Sequence, residues 1–285
     1  MGLAVAIPDA SLADCSDLRD KTIKVGALAR AFAVFRVDTV VVYDTGLLRH
    51  ERKSDANVLV TLLRYMDTPQ YLRRRVFPQS ASLRYAGLLP PLRTRSHPLN
   101  SDTSSLAKGE LRWGVQDRTG KVDIGTKTPV DYHSPVSATV PTLFRITDTT
   151  PEVKLEVVSR KDAELYWGFE TKSVGSLLHY LEVSAGSTRI ALSRTAPPFK
   201  SQESAIGSAV AATKSVVAMF GGPYHGLQEI FSSDLGSLRN CTEFWINTIP
   251  DQGTETVRLE EAVFASLALL NNSIGPLIQK PGYHT

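Results

Sequence analysis

Residues 242–263 read TEFWINTIPDQGTETVRLEEAV. An apolar, aromatic run of strand length ends at Ile249-Pro250, a glycine turn follows at Gly253, and Thr256 opens a long apolar-faced helix that Gly275-Pro276 is expected to stop. Strand, polar loop, helix is the repeating unit of an open α/β sheet, in which ligands sit outside the carboxyl ends of the strands. Two more such ends lie upstream. TRIALSRT (188–195) ends in Ser193-Arg194-Thr195, and SVVAMFGG (215–222) runs into Gly221-Gly222-Pro223-Tyr224-His225-Gly226-Leu227. Glycines at a strand end permit backbone turns that other residues resist and let a flat ligand approach closely. A plain tight turn would account for one glycine pair. Three such loops from consecutive strands point instead to a site.

Toward the start of the chain the same grammar holds. LAVAIP (3–8) has the pattern of a buried strand, with Pro8 and Asp9 ending it. Ser16 and Asp17 can cap the helix that follows, whose apolar positions include Ile23, Leu28, Ala31 and Phe35. VDTVVVYD (37–44) reads as a central parallel strand, and Ser54 or Asp55 opens a helix with Val58, Leu59, Leu62, Leu63 and Met66 on its stripe. Residues 84–171 differ. Five short strand-like runs (ELRWGVQD, KVDIGTK, SATVPTLFRIT, EVKLEVVS, ELYWGFET) are separated by turn signals, with no helical stripe. They predict a small antiparallel β-barrel, OB-like, inserted into the α/β unit. The expected architecture is therefore a mostly parallel α/β domain made of 1–83 and 172–285, interrupted by an all-β domain at 84–171.

Composition narrows the function classes. The chain has 285 residues, 42% apolar and 21% charged, with a net charge of +3, which fits a packed domain and not a disordered one. No uninterrupted apolar run approaches the length of a membrane span, so no membrane association is expected. Two distant cysteines, Cys15 and Cys241, fit a reduced, cytoplasmic setting, and six scattered histidines offer no metal-ligand spacing. Neither a dinucleotide-binding GxGxxG, nor a P-loop, nor a GxSxG elbow occurs. The charge is unevenly spread. Residues 49–95 hold ten basic and three acidic side chains, so this segment is +7 and the rest −4. Affinity for nucleic acid follows local phosphate neutralisation, so Arg73, Arg74 and Arg75, with Arg93 and Arg95, are candidate RNA contacts. A solvated helix end is the plainer reading of a triple-arginine run.

The loops of the third block resemble those of the SPOUT superfamily, methyltransferases with a C-terminal α/β trefoil knot. G-x-x-x-x-G-L is matched by Gly221 to Leu227, and I-P-x-x-G by Ile249 to Gly253. More narrowly, KVGALARAFAVFRVDTVVVYD, LRYAGLLPPLRT and NTIPDQGTETVRLEEAV resemble an archaeal and eukaryotic group of RNA methyltransferases with a barrel inserted into the knot fold. The resemblance implies S-adenosyl-L-methionine as cofactor, RNA (rRNA or tRNA) as substrate, and a homodimer formed through the knot. It implies cofactor contacts at Thr195, Gly221, Gly222, Ile246, Asn247, Thr248, Ile249, Gly253, Thr256 and Val257. They would act mainly through backbone groups, with Ile249 and Val257 as an apolar wall. It also makes Arg30, in the ARAFAVFR string, the first candidate for a catalytic side chain that stabilises developing negative charge. A non-catalytic RNA-binding or assembly protein keeping the same fold is the alternative. It predicts RNA binding without cofactor uptake.

Overall fold

The structure, a computed structural model, describes residues 2–98 and 106–282. Part of the polar stretch after His97 thus lies outside the described residues. The chain opens with β1 (Leu3–Pro8), α1 (Leu18–Val34), β2 (Thr39–Tyr43) and α2 (Lys53–Asp67). Asp17 caps α1 by accepting from the Asp20 N–H at 2.8 Å, as its position before the apolar stripe predicts. A short helix, α3 (Gln70–Val76), and a linker lead to β3 (Leu111–Gln116), β4 (Lys121–Asp123), β5 (Val130–Asp131), β6 (Thr142–Asp148) and β7 (Lys154–Val158). The chain then returns through β8 (Glu170–Val174), α4 (Leu177–Val183), β9 (Thr188–Leu192), α5 (Glu203–Thr213) and β10 (Val216–Met219). The short helices α6 (Leu227–Ile230) and α7 (Leu235–Asn240) follow, then β11 (Phe244–Ile246) and α8 (Leu259–Ile278).

Six strands make one sheet in the order β11-β9-β10-β1-β2-β8, every pair parallel. Alternate side chains go to opposite faces. Leu3, Val5, Ile7, Val40 and Val42 join α1, α2, α5 and α8 in the larger core. Ala6, Val41, Tyr43, Ala191, Val217 and Met219 join Leu177, Leu181, Leu227 and Leu238 of the other helices. Burial on both faces explains why these strands are unbroken apolar runs and not alternating ones. Burying each Leu, Ile or Val side chain contributes about 1.5–3 kcal/mol. α8 is apolar enough by length and composition to cross a bilayer, with mean hydropathy 1.2. Here Val263, Leu267, Leu270 and Ile274 pack into the core, on the side facing α1 and α5.

The inserted strands pair antiparallel in the order β5-β4-β3-β6-β7. Among the described residues the hydrogen bonding leaves β5 and β7 as open edges. Val122, Ile124, Phe144 and Ile146 form this layer's own small core. A second cluster (Leu72, Trp113, Val115, Leu143) seats the layer on α3. Tyr71 of α3 donates from its hydroxyl to the Trp113 carbonyl at 2.7 Å.

Three expectations need correction. ELYWGFET is not a strand of the inserted layer. Its last two residues, Glu170 and Thr171, begin β8 and pair with Thr39 and Val40 of the parallel sheet, with Phe169 in the main core. The fifth inserted strand is instead Val130–Asp131, too short to show a pattern. α8 starts at Leu259, not Thr256, because the Glu261 carboxylate accepts from the Arg258 N–H at 2.9 Å and so fixes the cap there. It also runs through Gly275-Pro276 to Ile278, where Ile278 is buried.

Candidate functional site

In a parallel sheet all strand C-termini share one edge, so the ends of β9, β10 and β11 converge there. After β10 the backbone folds back on itself, with the Gly222 N–H donating to the His225 carbonyl at 2.7 Å. A Cβ on Gly221 would lie 2.7 Å from Gly226 Cα and 2.8 Å from Leu227 N, so only glycine fits. The loop is anchored from below. Phe220 N–H donates to the Ala6 carbonyl, and the buried Tyr43 hydroxyl donates to the Phe220 carbonyl at 2.7 Å.

Side chains tie the three loops together. Asn247 Nδ2 donates to the Arg194 carbonyl at 2.8 Å, while its Oδ1 accepts from the Ile249 N–H at 2.9 Å. Arg194 donates to the Glu255 carbonyl at 3.3 Å, and Gln228 Nε2 reaches the Thr195 hydroxyl at 3.4 Å. Thr248 bonds Ser266 on α8 at 2.7 Å. Ile246 is buried and Ile249 and Val257 are half-buried. The N–H groups of Gly253, Thr256 and Val257 donate to nothing in the protein among the described residues. All ten positions singled out in these loops therefore lie along one edge, which offers a preformed backbone, uncommitted donors and two apolar side chains. A neutral aromatic base carried on a polar sugar suits such a surface.

Arg30 is not among them. It lies 12 residues beyond the start of α1, about 18 Å along a helix that leads away from this edge. Its guanidinium donates to the carbonyls of Pro91 at 3.3 Å and Leu92 at 2.8 Å. His225 is exposed, with Glu229 3.9 Å away. Burial pushes the Cys15 thiol up to about 11, so it stays protonated near neutral pH. No group of three or more potential metal ligands occurs among the described residues.

Sequence reading missed Asp9, taken as a residue that merely ends β1. It is buried beside Pro8, whose ring packs against Gly222. Its Oδ1 accepts from the Thr45 N–H at 3.2 Å and hydroxyl at 2.7 Å. Burial, with Asp44 nearby, raises its pKa above the usual carboxylate value. Gln228 and Ser266 were missed too, since only the fold brings them to the loops.

The three arginines of α3 divide. Arg73 donates to the carbonyls of Thr68 at 2.9 Å and Met66 at 3.2 Å and stacks over Tyr65, so it caps the end of α2. Arg75 pairs with Asp123 of the inserted layer at 3.2 Å. Arg74 is exposed and makes no such contact among the described residues. Arg93 and Arg95 are exposed on the linker, Arg93 with φ +55°.

Residues 2–270 match the model of a family described as "Putative RNA methyltransferase". An uncharacterized protein of Halobacterium salinarum is 34% identical over 288 residues, covering 95% of this chain and 99% of that one. The 28S rRNA (uridine-N(3))-methyltransferase of Homo sapiens is 30% identical over 326 residues, covering 99% of this chain and 80% of its own. A solved structure described as a "putative methylase family protein" from Neisseria gonorrhoeae superposes with a TM-score of 0.41 at 11% identity over 96% of this chain and 83% of that one.

Proposed function

The chain belongs to the family of RNA methyltransferases that its residues 2–270 match, and on that premise we propose that it moves a methyl group from S-adenosyl-L-methionine to ribosomal RNA, at a uridine as in the human relative's name. The observation that carries the cofactor assignment is the clamp of three loops by Asn247, Arg194 and Gln228.

When bound, the donor supplies an activated methyl on a sulfonium, and the protein's share is orientation and electrostatics. Gly221 and Gly222 let the backbone approach the ligand closely. Gly253, Thr256 and Val257 offer N–H groups to a base or ribose, and Ile249 and Val257 form an apolar wall. Asn247 holds two loops at fixed spacing before the ligand arrives, which lowers the ordering cost of binding.

Finer readings go with this one. We read the return of the chain from β11 past the 193–199 segment as the trefoil knot of SPOUT enzymes. The parallel bridge between Pro198 and Asn247 supports it. We read the inserted sheet as an OB-like module, supported by its five antiparallel strands. A homodimer is supported by Phe264, half exposed on α8 with its ring on Phe35, beside exposed Val34 of α1.

Calorimetric titration with S-adenosylhomocysteine tests the core claim. Saturable binding is expected, and silence at about 1 mM ligand would overturn it. Tritium transfer from labelled donor into ribosomal RNA, with nucleoside mapping, then identifies the acceptor atom.

A further inference from the structure

We propose that an unpaired stretch of RNA lies along two adjoining hollows at the opposite edge of the sheet, with Phe77 as the platform between them. The proposal rests on RNA being the substrate and adds where the strand is anchored, away from the methyl-transfer loops.

The first hollow, about 880 Å³, lies between α3, the end of α2 and the linker after Phe77. Arg73, Arg74, Arg84, Tyr65 and Phe77 line it, and no acidic residue does. The second, about 950 Å³, lies between the inserted layer and the N-terminal ends of β1, β2 and β8. Its wall includes Phe77, Trp113, Trp167, Arg64 and Lys161. Phe77 borders both, so the hollows adjoin at its ring.

The cations along this path fall into two groups. Arg73 caps α2, Arg160 pairs with Asp67, and Lys280 donates to the carbonyls of Arg160, Lys161 and Ala163. These hold the fold. Arg74, Arg84 and Lys161 are exposed, and none has a carboxylate partner among the described residues. Arg84 only stacks on Tyr85. The acids of the second hollow are committed. Asp67 serves Arg160 and the Phe169 N–H, Glu170 sits 3.2 Å from Lys172, and Asp38 accepts from the Leu3 N–H. An incoming polyanion meets uncommitted positive charge at both ends.

Between those ends the path is aromatic. Phe77 and Trp167 are half-buried and present ring surface to it, while Trp113 lies buried beneath with the Arg160 guanidinium 4.7 Å over its ring. A ring face open to a base is worth about 1–3 kcal/mol per stacked base and asks for no particular sequence. Only unpaired bases expose such faces, which excludes a duplex. The indole N–H groups of Trp113 and Trp167 and the Thr171 hydroxyl have no partner in the protein. The two hollows together exceed what one nucleotide fills, so several linked nucleotides have room along them. The strands between the two edges are about 17 Å tall, so the path is an anchor and not the acceptor pocket.

The test uses the full chain and a labelled oligouridine about 12 nucleotides long, within the span one such module grips, with an RNA duplex of equal length as control. Combining Arg74→Glu, Arg84→Glu and Lys161→Glu alters exposed side chains only. It is expected to weaken strand binding at least about tenfold and to lower the salt slope by about 2, at about 0.7 per phosphate. Phe77→Leu keeps apolar volume while removing the ring, and should weaken binding about fivefold or more. Photocrosslinking with 5-bromouridine in the strand should map to Phe77 or Trp167. The proposal is overturned if the triple variant binds within twofold of wild type, if adducts map elsewhere, if the duplex binds as tightly as the strand, or if wild type binds no strand. Titration of the same samples with S-adenosylhomocysteine separates the two claims. Lost strand binding with no cofactor uptake by wild type would sink the methyltransferase reading and keep the path. Normal uptake with indifferent track variants would do the reverse.

Discussion

The two edges of the parallel sheet are built on different principles. At the C-terminal edge the shape is set by backbone: Gly221 because nothing larger fits, Asn247 because it bonds two loops at once. Its residues are glycine, proline, asparagine and threonine, and its cations are few. At the N-terminal edge the shape is set by the meeting of layers, with α3 and the inserted sheet enclosing aromatic rings and charged stems. A small rigid ligand needs a few convergent groups at fixed positions. A polymer needs area, stacking surface and charge, which separate elements can share. The comparison predicts that damage at one edge leaves binding at the other intact.

The largest expected effect is at the N-terminal edge. Asp67 is buried, pairs with Arg160 and accepts from the Phe169 N–H at 2.9 Å. Gly168, at φ +80°, permits that contact, since a Cβ there would lie 2.2 Å from Asp67 Oδ1. Asp67→Ala leaves a guanidinium and an N–H without their acceptor, and should cost about 3–5 kcal/mol in urea unfolding. Cofactor affinity measured well below the transition should stay within twofold. A parallel fall in both would break the separation of the edges. At the other edge, Gly221→Ala forces the Gly226 backbone to move, and should weaken S-adenosylhomocysteine at least about tenfold, roughly 1.4 kcal/mol, by calorimetry. Strand affinity by anisotropy should not change. Smaller again, Arg73→Ala should lower stability by about 1 kcal/mol through the lost cap on α2. Arg74→Ala should leave stability alone and weaken only RNA.

That last contrast shows what sequence reading reaches. LAVAIP was legible as Leu3–Pro8 because a doubly buried strand is written in its own apolar run. So was the shared edge of the three loops, since all strands of a parallel sheet end on one side. Arg73-Arg74-Arg75 reads as one patch of charge, yet the folded side chains go to a helix end, to solvent and to Asp123. Each partner is either non-local or concealed by the turn between two helices. ELYWGFET was assigned to the wrong layer for a related reason. A short strand carries no mark of which sheet it will join, and pairing with β2 is decided by Phe169 entering the main core. Asp9, Gln228 and Ser266 acquire their meaning only through contacts across the fold.

The smallest effect sharpens the account of the N-terminal edge through pH. His97 ties the linker to the end of α2. Its Nε2 lies 3.1 Å from the Met66 carbonyl, so that nitrogen carries the proton, and its Nδ1 accepts from the Thr94 hydroxyl at 2.8 Å. Both nitrogens are satisfied only in the neutral ring. Burial lowers its pKa below the ordinary 6.5, with Asp67 opposing that shift and Arg73 adding to it. The unfolded chain therefore binds the proton first as pH falls. His97's contribution is complete above about pH 6.5 and drains away as pH drops toward the folded value, with a slope of at most about 1.4 kcal/mol per pH unit. Urea midpoints at about pH 7.5 and about pH 5 should differ more for wild type than for His97→Gln, whose amide cannot titrate. If the two differ equally, the acid sensitivity belongs to other groups and the imidazole only fills space beneath the linker.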